Sequence, residues 1–333
     1  MAAVTVRPEL RTGAGHHDRS PAPESGRRLP SGPHGGDAAA VAAALGCDPD
    51  EILDLSVSLN PEAPDVAALA AGHLDALRRY PDTTAATRAL ADALGTTADR
   101  VLLTNGGAEA IALVCADLGR AAVATPGEFS LYARHLAETV DPAGDPAAPR
   151  VRSNPHNPTG RLAGAGERAA VWDEAFYPLA AGAWSRGDPE AVVVGSLTKV
   201  FACPGLRAGY VRAPDPGLID RLAARQPRWA LNALAAALIP GLLARADLPA
   251  WCRATADRRA ALTRAIPGVA PSDANYVLVA VADGAPAARA RLARQRVLVR
   301  DCTGFGLPGH IRVAVPDEKG LRRLVAAWER AEL

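Results

Sequence analysis

The chain is 333 residues long, 49% hydrophobic and 22% charged, with a net charge of +1, so it can form one large or two smaller domains around a substantial core. This near-neutral balance excludes a strong global attraction to nucleic acid or to a membrane surface. The cysteines (Cys47, Cys115, Cys203, Cys252, Cys302) form neither a C-x-x-C pair nor a Cys/His ligand set, which argues against a disulfide framework and a structural metal site. No apolar run of about 18 residues occurs and the N-terminus lacks an apolar signal core, so the expected location is the cytoplasm.

In chain order, residues 1–33 are rich in Pro, Gly, Ser and Arg without periodicity and are expected to form a disordered tail. His16, His17 and Asp18 fall within it and are expected to be solvated rather than metal-ligating. From "HGGDAAAVAAALG" onward, short helices alternate with apolar strands. "RVLLTNGGAEAIALVCADLG" has the pattern of strand, glycine turn and helix, and "AAVATPGEFSLYARHLAE" that of strand, loop and helix. "RVRSNPHNPTG", "AAVWDEAFY" and "AVVVGSLTK" are strands that run into polar loops. This alternation predicts an α/β fold with a mainly parallel sheet between helices, and ligands beyond the carboxyl ends of its strands. After the helical stretch "RAPDPGLIDRLAARQPRWALNALAAALIPGLL" the pattern resets. "NYVLVAV", "VLVR" and "HIRVAV" are short strands, with helices expected over 284–293 and 317–331. They predict a smaller α/β domain beside the first.

The polar residues collect at the strand ends. Gly106, Gly107 and Ala108 open a helix, where small residues let backbone N–H groups approach an anion. Asn157 lies between Pro155 and Pro158, which restrict its loop. Asp173 follows an apolar strand, and a carboxylate beneath a pocket there needs a positive partner, such as a protonated pyridine nitrogen. Ser196 and Thr198, with Arg207, supply two hydroxyls and a guanidinium suited to a phosphate. Lys199 and Lys319 are the only two lysines among 37 basic residues. A lysine, unlike an arginine, can lose its proton and act as a nucleophile. An amine, an acid for a ring nitrogen, an amide for a ring hydroxyl and an anion cradle together match pyridoxal 5′-phosphate.

On these motifs the chain, from about His34 to its C-terminus, resembles the fold-type I aminotransferase superfamily. It is most similar there to the threonine-phosphate decarboxylases of cobalamin biosynthesis, with the histidinol-phosphate aminotransferases as near relatives. The resemblance of "SLTKVFACPGLRAGY" implies that Lys199 joins the cofactor and that Ser196, Thr198 and Arg207 bind its phosphate. It likewise implies that Asp173 pairs with the ring nitrogen and Asn157 with the ring oxygen. "RYPD" implies a homodimer with shared sites, in which Tyr80 reaches the neighbouring subunit's cofactor. Ring stacking falls to Phe129 or, alternatively, Tyr132, because "PGEFSLY" carries one residue more than the family's usual spacing.

"HGGD", "RQPRWALNALA" and "VLVRDC" resemble the decarboxylase subgroup. They imply substrate contacts from His34 and Arg300, and "HIRVAV" implies a carboxylate contact from Arg312. Ser58 in "LSVSLNP" stands where the subgroup usually has Asn, while Asn60 is retained; both are expected at the substrate. The implied organisation is a segment over 34–60 that covers the site, a large cofactor-binding domain over 61–225 and a small domain over 226–333. Gly160 and Asp173 are too close in sequence for the family's usual helix between them, which predicts a remodelled sheet edge. Decarboxylation of a phosphorylated amino acid, such as L-threonine O-3-phosphate to 1-aminopropan-2-yl phosphate, is the expected reaction. Transamination of a phosphate ester would use the same residues. A regulator would need a DNA-binding module that the tail is too short to supply, and an inactive scaffold would have no need to keep Lys199 and Asp173.

Overall fold

A computed structural model describes residues 29–30, 34–123 and 127–333. The expected tail therefore lies outside the described residues, apart from Leu29 and Pro30. The strands are β1 (Leu53–Asp54), β2 (Val101–Asn105), β3 (Arg120–Ala122), β4 (Glu138–Val140), β5 (Val151–Ser153) and β6 (Val171–Asp173). They continue with β7 (Val192–Ser196), β8 (Ala208–Arg212), β9 (Tyr276–Ala280), β10 (Val297–Leu298), β11 (Arg300–Asp301) and β12 (His310–Ala314).

The main sheet has the order β2-β8-β7-β6-β5. Strands β5, β6 and β7 run parallel, and β8 lies antiparallel between β7 and β2. The parallel pair β3–β4 continues the sheet beyond β5 through a bridge between Ala122 and Arg150. Every residue of β7 is buried, which explains its near-continuous valine run: a central strand covered on both faces needs no polar alternation. Val193 joins a core with Leu90, Phe201, Tyr210 and Ile239. Val192 and Val194 point to the other face, with Ile111, Tyr132, Val211 and Leu222. Each such valine contributes about 1.5–3 kcal/mol by leaving water. Helices Thr84–Leu94 and Ala233–Leu243 cover the first face, and Gly106–Leu118 and Pro216–Arg225 the second.

The helix expected to be missing before Asp173 is absent, and strand pairing persists without it. β5 and β6 pair in parallel register, Ser153 opposite Asp173, although no helix lies between them. A crossover needs only about a dozen residues to return, and side chains fix this one. Arg186 Nη2 donates to the carbonyls of Gly164 (3.4 Å) and Glu167 (3.2 Å), and its guanidinium lies 4.5 Å from the Trp172 ring centroid. Arg152 pairs with Glu167 from the strand.

A second sheet, β11-β12-β9, is antiparallel. It packs through Val277, Val279, Ile311 and Val313 against Leu262, Leu292 and Leu324. Helices Ala285–Arg294 and Glu318–Arg330 fall close to the expected spans. β1 pairs in parallel with β10 as a separate two-stranded sheet, and the Ala314 N–H of β12 donates to the Leu55 carbonyl at 2.9 Å, which ties the N-terminal segment to the C-terminal sheet. Among the described residues no single helix is long and apolar enough to cross a membrane.

Candidate active site

A cavity of about 180 Å³ opens where β6 and β7 end and the helix Gly106–Leu118 begins. A larger groove of about 760 Å³ lies at the opposite ends of β5, β6 and β7 and holds none of the expected site residues.

One end of the cavity is an anion cradle. Gly107 and Ala108 in the first helical turn, Ser196 at the end of β7, Thr198 and Arg207 all line it. The Thr198 hydroxyl also donates to the Ala208 carbonyl at 3.2 Å, which orients its oxygen. Gly106 stands behind the cradle rather than on its surface. Its φ is +76°, and a Cβ there would overlap the Arg207 guanidinium. A Cβ on Gly209 would overlap the backbone of Gly106 and Gly107. These two glycines let the helix start approach β8 and Arg207 closely enough to close the cradle.

Lys199 reaches the cavity from the short helix Leu197–Val200. Burial, then the charges of Arg312 and Arg207, lower its ammonium to a pKa of about 8. Asp173 is buried at the floor of the cavity. Its Oδ2 accepts from the Tyr132 hydroxyl at 2.8 Å and its Oδ1 from the Ala175 N–H at 3.0 Å. Burial raises its pKa, and Tyr132 opposes that shift most strongly. Among the described residues Asp173 makes no ion pair, and a protonated ring nitrogen would supply the missing charge. Asn157 Oδ1 accepts from Arg312 Nη1 at 2.6 Å, which leaves the amide N–H₂ free to donate to a ring oxygen.

The choice of stacking residue falls to Phe129, which lines the cavity. Tyr132 is corrected from that role: it is buried in the core and committed to Asp173. Phe129 precedes the helix Leu131–His135 and meets the cavity, while Tyr132 lies within that helix and is buried against Asp173.

At the other end, Arg300 and Arg312 face each other directly across β11 and β12. They are only 4% and 7% exposed. Arg300 Nε and Nη1 and Arg312 Nε are buried without hydrogen-bond partners. Burial, then Arg312, lowers Arg300 to a pKa of about 10. Like charges opposite one another in a sheet are destabilising, and unpaired buried charges cost more still, so this pair is organised to receive anionic groups. His34 joins them and meets the Phe129 ring edge-on at 6.2 Å. Burial, then Arg300, lowers its pKa.

Besides Gly106 and Tyr132, three more expected residues lie away from the cavity lining. Asn60 is corrected from a substrate ligand to a structural one. Its amide donates to the Val200 carbonyl at 2.9 Å and accepts from Glu62 N–H at 3.0 Å, so it bolts down the chain after Lys199. Ser58 is buried outside the lining, its hydroxyl without a partner. Tyr80 is 76% exposed and stacks on Trp229 at 4.2 Å. Phe176 and Phe305 line the cavity and were not singled out from the sequence. Phe176 had a signal, three residues after Asp173 in "DEAF"; Phe305 in a glycine-rich turn had none.

The model of the aminotransferase class I and II family matches residues 123–327. The threonine-phosphate decarboxylase of Salmonella typhimurium is 32% identical over 349 residues, covering 88% of this chain and 95% of that protein. The histidinol-phosphate aminotransferase of Symbiobacterium thermophilum is also 32% identical, covering 84% of this chain and 91% of that protein. Among solved structures, the histidinol-phosphate aminotransferase of Sinorhizobium meliloti in complex with pyridoxal 5′-phosphate shares the fold. Its TM-score is 0.73 at 19% identity, over 89% of this chain and 94% of that one.

Proposed function

Because the chain belongs to the aminotransferase class I and II family and uses pyridoxal phosphate, we propose that it decarboxylates a phosphorylated amino acid. The substrate in this reading is L-threonine O-3-phosphate, the product (R)-1-aminopropan-2-yl phosphate and the pathway cobalamin assembly. The observation that carries it is the buried, mutually opposed pair Arg300 and Arg312 with three unpartnered nitrogens. Such a pair suits a substrate with two anionic ends, a phosphate and a carboxylate.

When bound, the cofactor supplies an aldehyde that condenses with amines and a ring that accepts the electron pair of a bond broken at Cα. Lys199, lowered to about 8, has an appreciable free-amine fraction near neutral pH. Asp173, held by Tyr132, keeps a proton on the ring nitrogen. Arg207 and Ser196 fix the cofactor phosphate and Phe129 covers the ring face. Arg312 and Arg300 would hold the substrate's two anions and so fix the orientation of its Cα substituents in the cavity. Lys199 Nζ then returns a proton to Cα after carbon dioxide departs.

The competing reading is transamination of a phosphate ester, and the 32% identity to a histidinol-phosphate aminotransferase favours it equally. Histidinol phosphate has no carboxylate, so Arg312 would then serve the second, amino-acid substrate. Incubation with threonine phosphate, measuring carbon dioxide against pyridoxamine phosphate, separates the two. Catalytic carbon dioxide release is expected; stoichiometric pyridoxamine phosphate without it overturns decarboxylation.

A homodimer is part of the same reading. Tyr80 and Trp229, with Leu74 and Leu77, are the large hydrophobic side chains exposed among the described residues. Burial of this patch by a second copy would carry Tyr80 toward the partner's cofactor phosphate. Sedimentation equilibrium tests it, and a strictly monomeric holoenzyme overturns it.

A further inference from the structure

Behind the cavity lies a buried carboxylate that the reaction does not use. Glu128 immediately precedes Phe129, and its side chain is 1% exposed. Its Oε2 accepts from the Ser153 hydroxyl at 2.8 Å and from the Ser153 N–H at 3.3 Å. Ser153 Oγ in turn accepts the Asn157 N–H at 2.8 Å. A continuous relay thus runs from the backbone of the ring-oxygen ligand, through a hydroxyl, to Glu128.

The other oxygen is not used in this way. Oε1 is buried without a hydrogen-bond partner, and His156 Nε2 faces it at 3.9 Å. His156 directly precedes Asn157, and its Nδ1 is engaged by Thr159 Oγ1 at 2.8 Å. The remaining charged or titratable groups around Glu128 are Arg152 on β5, Asp173 on β6, Tyr132 on the helix Leu131–His135 and Tyr276 on β9. Burial, partly offset by Ser153, holds the carboxyl at a pKa of about 7. A buried acid with an empty acceptor is a costly way to fill space, and a group with such a shift inside a functional cleft is a candidate for a role there.

We propose that Glu128 is a positioning residue for pyridoxal phosphate: through Ser153 it holds Asn157, and on ionising it adds a second negative charge behind Asp173. Ionisation strengthens the acceptor at Oε2 and so tightens the relay to Asn157. It also deepens the negative potential that favours a protonated ring nitrogen. Glu128 and His156 are adjacent in sequence to the ring-stacking and ring-oxygen residues, so the loops that clamp the ring meet at this pair. The inference holds for either Cα chemistry, because it concerns the cofactor alone.

The test compares wild type, Glu128→Gln and Ser153→Ala, each as purified full-length protein. The readouts are the dissociation constant for pyridoxal phosphate and the visible spectrum of the bound cofactor, from about pH 5.5 to about pH 9. Glutamine keeps the size and one acceptor for Ser153 but cannot ionise. In wild type, affinity is expected to rise about threefold or more as pH passes through about 7, with a spectral change at the same midpoint. Glu128→Gln should lack that step while retaining the titration of Lys199 near 8. Ser153→Ala should move the step to higher pH, because the hydroxyl that donates to Oε2 and opposes the upward shift is gone. Coincidence of the Glu128→Gln curves with wild type in both readouts overturns the proposal. Should that variant fail to fold, Ser153→Ala decides: it cuts the relay between Glu128 and Asn157, and an unmoved midpoint with unchanged affinity overturns the proposal equally.

Discussion

Replacing Tyr132 with Phe removes a single oxygen atom from a fully buried ring and leaves the packing volume nearly unchanged. That oxygen donates the 2.8 Å hydrogen bond to Asp173 Oδ2. A hydrogen bond to a charged group contributes about 1.5–3 kcal/mol. The same bond is the largest influence opposing the upward shift of Asp173, so its loss drives the carboxyl further toward its neutral form. A neutral Asp173 cannot balance a protonated ring nitrogen. The expected outcome is a roughly 10- to 150-fold weaker dissociation constant for pyridoxal phosphate near neutral pH, at about 1.4 kcal/mol per tenfold. The sign of the pH dependence follows: protonation of Asp173 reaches higher pH in the variant, so the loss is larger at about pH 6 than at about pH 8. Absorbance titration of apo-protein at the two pH values measures both quantities. Binding within about twofold of wild type at both would refute the assignment of Asp173 as the carboxylate of the ring nitrogen.

Glu174 is wholly buried and pushed by burial up to about 7 from its ordinary value of 4.5, so the folded state keeps a proton that the unfolded chain loses. Its contribution to stability therefore falls as pH rises from the unfolded value through about 7; relative to wild type, Glu174→Gln should gain about 2 kcal/mol between about pH 5 and about pH 8 in urea denaturation. Gly209→Ala would drive a methyl into the backbone of Gly106 and Gly107; a loss of about 1–3 kcal/mol or more in the same assay, with weaker cofactor binding, is expected. Arg300→Met should lower kcat/KM for a phosphorylated substrate about 10- to 150-fold, while an unphosphorylated analogue, already slow, changes little.

The strand-and-helix order, the valine-rich central strand and the lysine motif were legible in the sequence, because burial on both faces and the need for a deprotonatable amine act through residue type alone. Asn157, Asp173 and Lys199 follow the carboxyl ends of parallel strands, so their convergence followed from local pattern, whereas Arg207 joins them because it precedes the antiparallel strand β8. Other features depended on packing between distant segments. The helix-free link between β5 and β6 stands because Arg186 and Trp172 hold it, and no spacing argument registers that contact. Asn60 keeps its place in the motif, yet spends its amide on Val200 and Glu62. Tyr132 and Phe129 are interchangeable aromatics in the chain; only the turn of one short helix sends one into the cavity and the other beneath it to Asp173. Glu128, an ordinary acid in sequence, becomes a buried neighbour of the ring site because Ser153 and His156 arrive from another strand. Residue chemistry and periodicity determined which groups were available, and three-dimensional proximity decided which of them act together.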